Sequence, residues 1–137
     1  MKPRYLLDTD ICIYIAKRRP AQVQARLAAL SAGVVAMSVV TYGELWHGAT
    51  RSQRSAEAFA ILERLARAAP VLPLDEEAAR HYGEIRAQLE AKGKVIGNND
   101  LWIAAHARSA KLVLVTNNVR EFSRVAGLVV ENWVTAR

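Results

Sequence analysis

Carboxylates stand at three points where the chain changes from one local pattern to another. Asp8 and Asp10 follow the apolar Tyr5-Leu6-Leu7, Glu44 closes Thr41-Tyr42-Gly43-Glu44, and Asp100 closes Asn98-Asn99-Asp100. Uncompensated carboxylates a few ångströms apart raise one another's pKa, so a cleft that gathers them needs a cation or trapped protons. No cluster of softer ligands accompanies these acids. Cys12 is the only cysteine, and His47, His81 and His106 sit on separate helical stretches whose spacing matches no zinc motif. Oxygen ligands alone match Mg²⁺ or Mn²⁺. Each acid also has a structural explanation. Asp8, Thr9 or Asp10 can cap a helix. Thr41-x-x-Glu44 reads as a capping box, which starts a helix at Thr41 and puts Glu44 in its first turn. Asp100 is a first-turn acid favoured by the helix dipole.

Whether these acids meet depends on the elements that carry them. Tyr5-Leu6-Leu7 is a short buried strand feeding a helix through Ile11-Cys12-Ile13-Tyr14-Ile15-Ala16-Lys17. Pro20 opens a second helix over Ala21 to Leu30, and Gly33 to Ser38 reads as a second strand. An amphipathic helix over Ala56 to Ala68 precedes the strand Pro70 to Leu74, whose two prolines place it at a sheet edge. Asp75-Glu76-Glu77 opens a long helix to about Lys92, and these three acids read as structural. A loop over 93–97 leads into the Asp100 helix; strands follow at Leu112 to Thr116 and Leu128 to Glu131. Apolar strands alternating with helices predict an α/β parallel sheet with helices on both faces. Right-handed crossovers then bring the carboxyl ends of the strands to one rim. Asp8, Ser38 with Glu44, and Thr116 to Asn118 fall on that rim, and Asp100 joins them if the long helix runs back from it.

The 137 residues suit a single domain, 1–137, with room for a core that needs no metal or disulfide. One cysteine excludes an internal disulfide and suits a reducing cytoplasm. No apolar run is long enough to span a bilayer, and the N-terminus lacks a signal-peptide core, so no membrane partner is expected. With 19 Lys and Arg against 13 Asp and Glu, the net charge is +6. If several acids gather in one cleft, the remaining surface is more basic still, which favours a polyanion such as nucleic acid. Lys17, Arg18, Arg19, Arg51, Arg54, Lys92 and Lys94 are the candidates for phosphate contacts. Trp46 and Trp102 each lie two residues past a site acid, about 200° around a helix, and are expected to pack away from the acids.

The chain resembles PIN-domain ribonucleases, and more closely the VapC toxins of type II toxin–antitoxin pairs, nearly end to end. The residues that carry the resemblance are Leu7-Asp8-Thr9 with Ile11-Cys12-Ile13-Tyr14, Glu44-Leu45 with Gly48-Ala49, and Ile96-Gly97-x-Asn99-Asp100 with Ile103-Ala104-Ala105-His106-Ala107. Leu114-Val115-Thr116-Asn117-Asn118, Arg120-Glu121-Phe122 and Val130-Glu131-Asn132-Trp133 complete it. The resemblance implies a PIN-like three-layer fold with a five-stranded parallel sheet, and hydrolytic cleavage of RNA. It also implies a Mg²⁺ or Mn²⁺ site on Asp8, Glu44 and Asp100. Similar toxins cut initiator tRNA in the anticodon stem-loop, act beside a VapB-type antitoxin whose segment lies in an apolar groove, and form a homodimer or a toxin–antitoxin hetero-oligomer. Two positions depart from the pattern. Asp10 stands where Asn is common, and Asn118 stands where many PIN domains carry a fourth Asp, with Glu121 near enough in sequence to replace it.

Chemically, Asp8 and Asp100 can hold a divalent ion against a phosphodiester while Glu44 takes or orients a water proton. Thr9, Ser38, Thr116 and Asn118 are expected to fix the carboxylates by hydrogen bonds. Two other readings remain at this point. Asp8-x-Asp10 also resembles the Asp-x-Asp of haloacid-dehalogenase-like phosphatases, whose first Asp is a nucleophile and second an acid/base, a reading that leaves Glu44 and Asp100 without a role. A PIN domain impaired by Asn118 would bind RNA or antitoxin without cutting.

Overall fold

The computed structural model describes residues 2–135. In chain order the elements are β1 (Tyr5–Leu7), α1 (Thr9–Lys17), α2 (Ala21–Ala28), β2 (Val35–Ser38), α3 (Val39–Arg51) and α4 (Ser55–Ala68). They continue with β3 (Val71–Leu72), α5 (Glu76–Ala91), α6 (Asn98–Ala110), β4 (Val113–Val115), α7 (Val119–Phe122) and β5 (Val130–Glu131). The five strands form one parallel sheet in the order β3-β2-β1-β4-β5. The edge position expected for the proline-flanked strand is the one β3 takes.

Alternation along β1 sets the layers. Leu6 packs with Ala36 and Leu114 against Ile85 and Leu89 of α5, Leu101 and Ile103 of α6, and Phe122 of α7. Tyr5 and Leu7 point the other way, with Met37 and Val115, onto Ile11 and Cys12 of α1, Val23 of α2, Leu65 of α4 and Trp133. A strand covered on both faces must be apolar throughout, and all three β1 residues are buried. Cys12 belongs to this second layer; burial pushes its thiol far above the usual range, so it is a small core residue.

Helix starts explain how the chain turns at the rim. Asp8 caps α1, its Oδ1 accepting from the Ile11 amide at 2.9 Å. The capping box expected at Thr41 does not form. Ser38, the last residue of β2, caps α3 through the Val40 amide at 3.1 Å. The helix thus begins at Val39, Thr41 is buried within it, and Glu44 lies in the second turn. Ser38 wins because it stands directly at the strand end, where the first free amides of the helix need an acceptor. Asp75 caps α5 through Ala78, as its position suggests. The short helix α7 is an element that local pattern does not announce, and it is the one that turns Glu121 towards the rim. Trp46 is 49% exposed and lies edge-on to Phe59, whereas Trp102 stacks on Tyr82 with centroids 3.9 Å apart.

Candidate active site

Asp8 ends β1 and is buried, Glu44 reaches in from α3, and Asp100 arrives on the first turn of α6. Glu44 is held at both oxygens. The Thr9 hydroxyl donates to its Oε1 at 2.5 Å and lies 3.2 Å from the Thr41 hydroxyl, while Asn99 Nδ2 donates to Oε2 at 3.1 Å. Asn99 directly precedes Asp100, so one hydrogen bond ties the carboxylate of α3 to the start of α6. Glu44, Gly97, Asn98, Asn99 and Asp100 line an open depression of about 400 Å³.

Charge accumulates here. Burial is the main cause that pushes Asp8 from the ordinary 3.8 up to about 6, with Asp10 and Asp100 adding repulsion. The Thr116 hydroxyl and the Ile11 amide bond the same carboxyl group and favour its charged form. Asp100 is likewise pushed to about 6, first by loss of solvent and then by Glu121, Glu44 and Asp10 in that order. Five acids therefore share one rim. Of the thirteen in the chain, seven pair with arginines and Asp75 caps α5, leaving Asp8, Asp10, Glu44, Asp100 and Glu121. Among the described residues, no cation pairs with any of these five.

Residues expected to support the acids take different places. Thr9 and Thr116 touch carboxylates, as above. Ser38 is turned away, its hydroxyl 2.8 Å from His106 Nδ1. That buried contact fastens α6 to the end of β2 and so fixes where Asp100 arrives; burial keeps His106 below its usual pKa. Asn118 opens α7, its amide donating to Thr116 Oγ1 at 2.9 Å, and Glu121 on the same helix supplies the strongest charge acting on Asp100. Two participants escape sequence reasoning. Asn99 reads only as part of a motif, and Thr41 only as a cap; a polar residue beside a first-turn acid is the available signal.

The donor set fits a hard divalent cation. All donors are oxygens, and the uncompensated charge is what such an ion would neutralise. The arrangement does not fit a closed cage, since no three His, Cys, Asp or Glu are drawn into ligating geometry among the described residues. Open coordination with retained waters is the habit of Mg²⁺ rather than of structural zinc.

A PIN-domain family model matches residues 5–128. A ribonuclease VapC of Haemophilus influenzae is 44% identical over 131 residues, covering 96% of this chain and 98% of that protein. The chain belongs to the VapC ribonucleases of the PIN-domain family. A tRNA(fMet)-specific endonuclease VapC of Shigella flexneri is 45% identical over 130 residues, covering 95% of this chain and 98% of its own. Among solved structures, DNA-bound VapBC from Salmonella typhimurium superposes with a TM-score of 0.90 at 39% identity, covering 97% and 99% of the two chains. PIN membership also removes the haloacid-dehalogenase reading, for which Thr116-Asn117-Asn118 offers no acidic pair. No helix among the described residues is long and apolar enough to cross a membrane.

Proposed function

We propose that the chain is the toxin of a type II toxin–antitoxin pair, a Mg²⁺- or Mn²⁺-dependent endoribonuclease whose catalytic residues are Asp8, Glu44 and Asp100. The observation that carries the reading is the set of five acids without cations at the rim, in a protein that pairs seven of its other eight carboxylates with arginines. A bound ion supplies Lewis-acid polarisation of the scissile phosphate and acidifies a water. Asp8 and Asp100 are its ligands. Asp8 keeps Oδ2 free of the cap bond that occupies Oδ1, and Glu121 stands in for the missing fourth Asp. Glu44, oriented by Thr9 and Asn99, accepts the proton of the attacking water. Thr116 keeps Asp8 in its charged form.

The name of the Shigella relative supports tRNA, and initiator tRNA first, as substrate. Partner binding is supported by a groove of about 370 Å³ lined by Ile13, Leu45, Ala49, Ile61, Leu62 and Leu65, with Thr9, Lys17 and Glu44 also on its wall. An apolar helix face of a VapB-type antitoxin fits there, within a homodimer or a toxin–antitoxin hetero-oligomer acting in the cytoplasm. Purified protein incubated with total RNA in Mg²⁺, Mn²⁺ or EDTA tests the activity, with new 5′ ends mapped. Ion-dependent ends in the anticodon stem-loop of initiator tRNA are expected. RNA binding with no cleavage under any ion would instead mark a catalytically impaired PIN domain.

A further inference from the structure

A second concentration of like charge lies beside the rim, and it is positive. Gly93, Lys94, Val95, Arg120 and Arg124 line a hollow of about 450 Å³, and a neighbouring one of about 330 Å³ adds Lys92 and Ser123. Gly93 takes φ +64°, a left-handed turn that suits glycine and lets Lys92 and Lys94 flank the same bend. Lys92, Lys94 and Arg120 are exposed, while Arg124 is half-buried and its Nη1 lies 3.4 Å from the Val95 carbonyl, joining the two walls. None of these four cations makes an ion pair among the described residues. The acids nearby are engaged elsewhere: Glu90 is held by Arg86 at 3.1 Å, and Glu121 acts on Asp100 although it follows Arg120 directly.

All four cations line the smaller hollow and three of them the larger, and they repel one another unless an anion enters, just as the rim acids do without a cation. The two charge concentrations share their supports. Helix α7 carries both Arg120 and Glu121, and the turn bearing Lys94 runs through Ile96 and Gly97 into the first turn of α6, where Asp100 sits. We infer that the hollow between the Lys92–Val95 turn and the Arg120–Arg124 segment is a phosphate-binding subsite for an RNA backbone phosphate flanking the cleaved bond. The choice of RNA rests on the ribonuclease reading above; the choice of phosphate rests on the hollow itself. Arginine and lysine together suit a phosphate, one presenting a planar fork of donors and the other a point charge. The contact positions the strand and reads no base.

The test uses the full chain and a labelled single-stranded RNA oligonucleotide, with affinity measured against salt concentration in EDTA. The double variant Lys94→Gln/Arg120→Gln should flatten the plot of log K against log salt by about 0.7 for each phosphate that the variant no longer neutralises. It should also raise KM for RNA cleavage several-fold with kcat retained and an unchanged melting temperature. Lys94→Arg/Arg120→Lys should restore the slope. Arg64→Gln/Arg67→Gln on α4 removes the same charge and should leave the slope alone. An equal change in that control, or an unchanged slope in the first variant, overturns the subsite. So does a slope change seen with duplex DNA and not with RNA. If the wild type binds RNA through the hollow but cleaves nothing, the ribonuclease reading fails and the subsite stands. If it cleaves RNA and the double variant keeps both slope and KM, the reverse holds.

Discussion

Along α5 every carboxylate is answered by a cation: Glu76 and Glu77 by Arg80, Glu84 by Arg108, and Glu90 by Arg86. At the rim, Asp8, Asp10, Glu44, Asp100 and Glu121 press on one another with none. Both regions are rich in acid, so acid content alone does not mark a site. The difference is compensation. Helical neighbours three or four residues apart neutralise three of the α5 acids and Arg108 of α6 the fourth, whereas the rim gathers its acids from four separate helices and the end of β1, and holds them by burial and by neutral donors.

The largest break in this contrast should come from Asp100→Asn. Loss of a group that only orients a metal ligand costs about 10–100-fold, so removing a proposed ligand should lower cleavage by more than about a hundredfold, with RNA affinity in EDTA retained. Wild-type rates in single-turnover assays of this variant would place the chemistry elsewhere. Glu44→Gln should also suppress cleavage while keeping more of the metal affinity, since that carboxylate is assigned to the water. Equal loss of Mn²⁺ affinity in the two variants, measured by calorimetry, would make Glu44 an ordinary ligand.

A smaller effect separates the two roles of Asp8. Mn²⁺ at a hundredfold excess over its dissociation constant should stabilise the wild type by about 2.7 kcal/mol. Asp8→Asn keeps the cap on α1 nearly intact and relieves repulsion, so without metal it should melt no lower than the wild type. Its gain from Mn²⁺ should be much reduced, and an undiminished shift in the melting curve would leave Asp8 as a cap alone.

The pH dependence follows from the same crowding. Asp8 and Asp100 have raised values of about 6 in the folded state against an ordinary 3.8. Between these values the folded protein binds more protons than the unfolded chain, so metal-free stability falls as pH rises from about 4 to about 6. Buried Asp8 alone contributes on the order of 3 kcal/mol to this fall, at about 1.4 kcal/mol per pKa unit. Urea midpoints in EDTA should show the decline, and Asp8→Asn should flatten it. A rising profile would mean the rim is already compensated. The smallest effect belongs to α5: Glu76→Gln removes one exposed pair with Arg80, and should change stability by less than about 1 kcal/mol and cleavage not at all. A large loss of cleavage there would erase the distinction between the two acidic regions.

Apolar runs broken by acids and glycines make the alternating strands and helices legible, and with them the parallel sheet and the edge place of β3. Asp8 is legible both as a cap and as a candidate site acid, and the cap bond takes up one oxygen of two. The start of α3 is not, because Ser38 and Thr41 can both cap a helix, and the choice falls to whichever hydroxyl stands at the end of β2. Glu121 is visible only as a neighbour of Asn118; a four-residue helix has too little periodicity to be read, and its direction sets what Glu121 faces.

Residue types and their spacing along the chain therefore determined the layers, the rim and its all-oxygen set of donors, since all of these follow from local pattern and the hand of the crossovers. Tertiary structure alone decided which acids lack a cation. Arg108 reaches Glu84 and Arg26 reaches Glu131 across 24 and 105 residues, while Thr9 and Asn99 reach Glu44 across 35 and 55. Such distances in sequence carry no local signal, and charge compensation depends on separation in space.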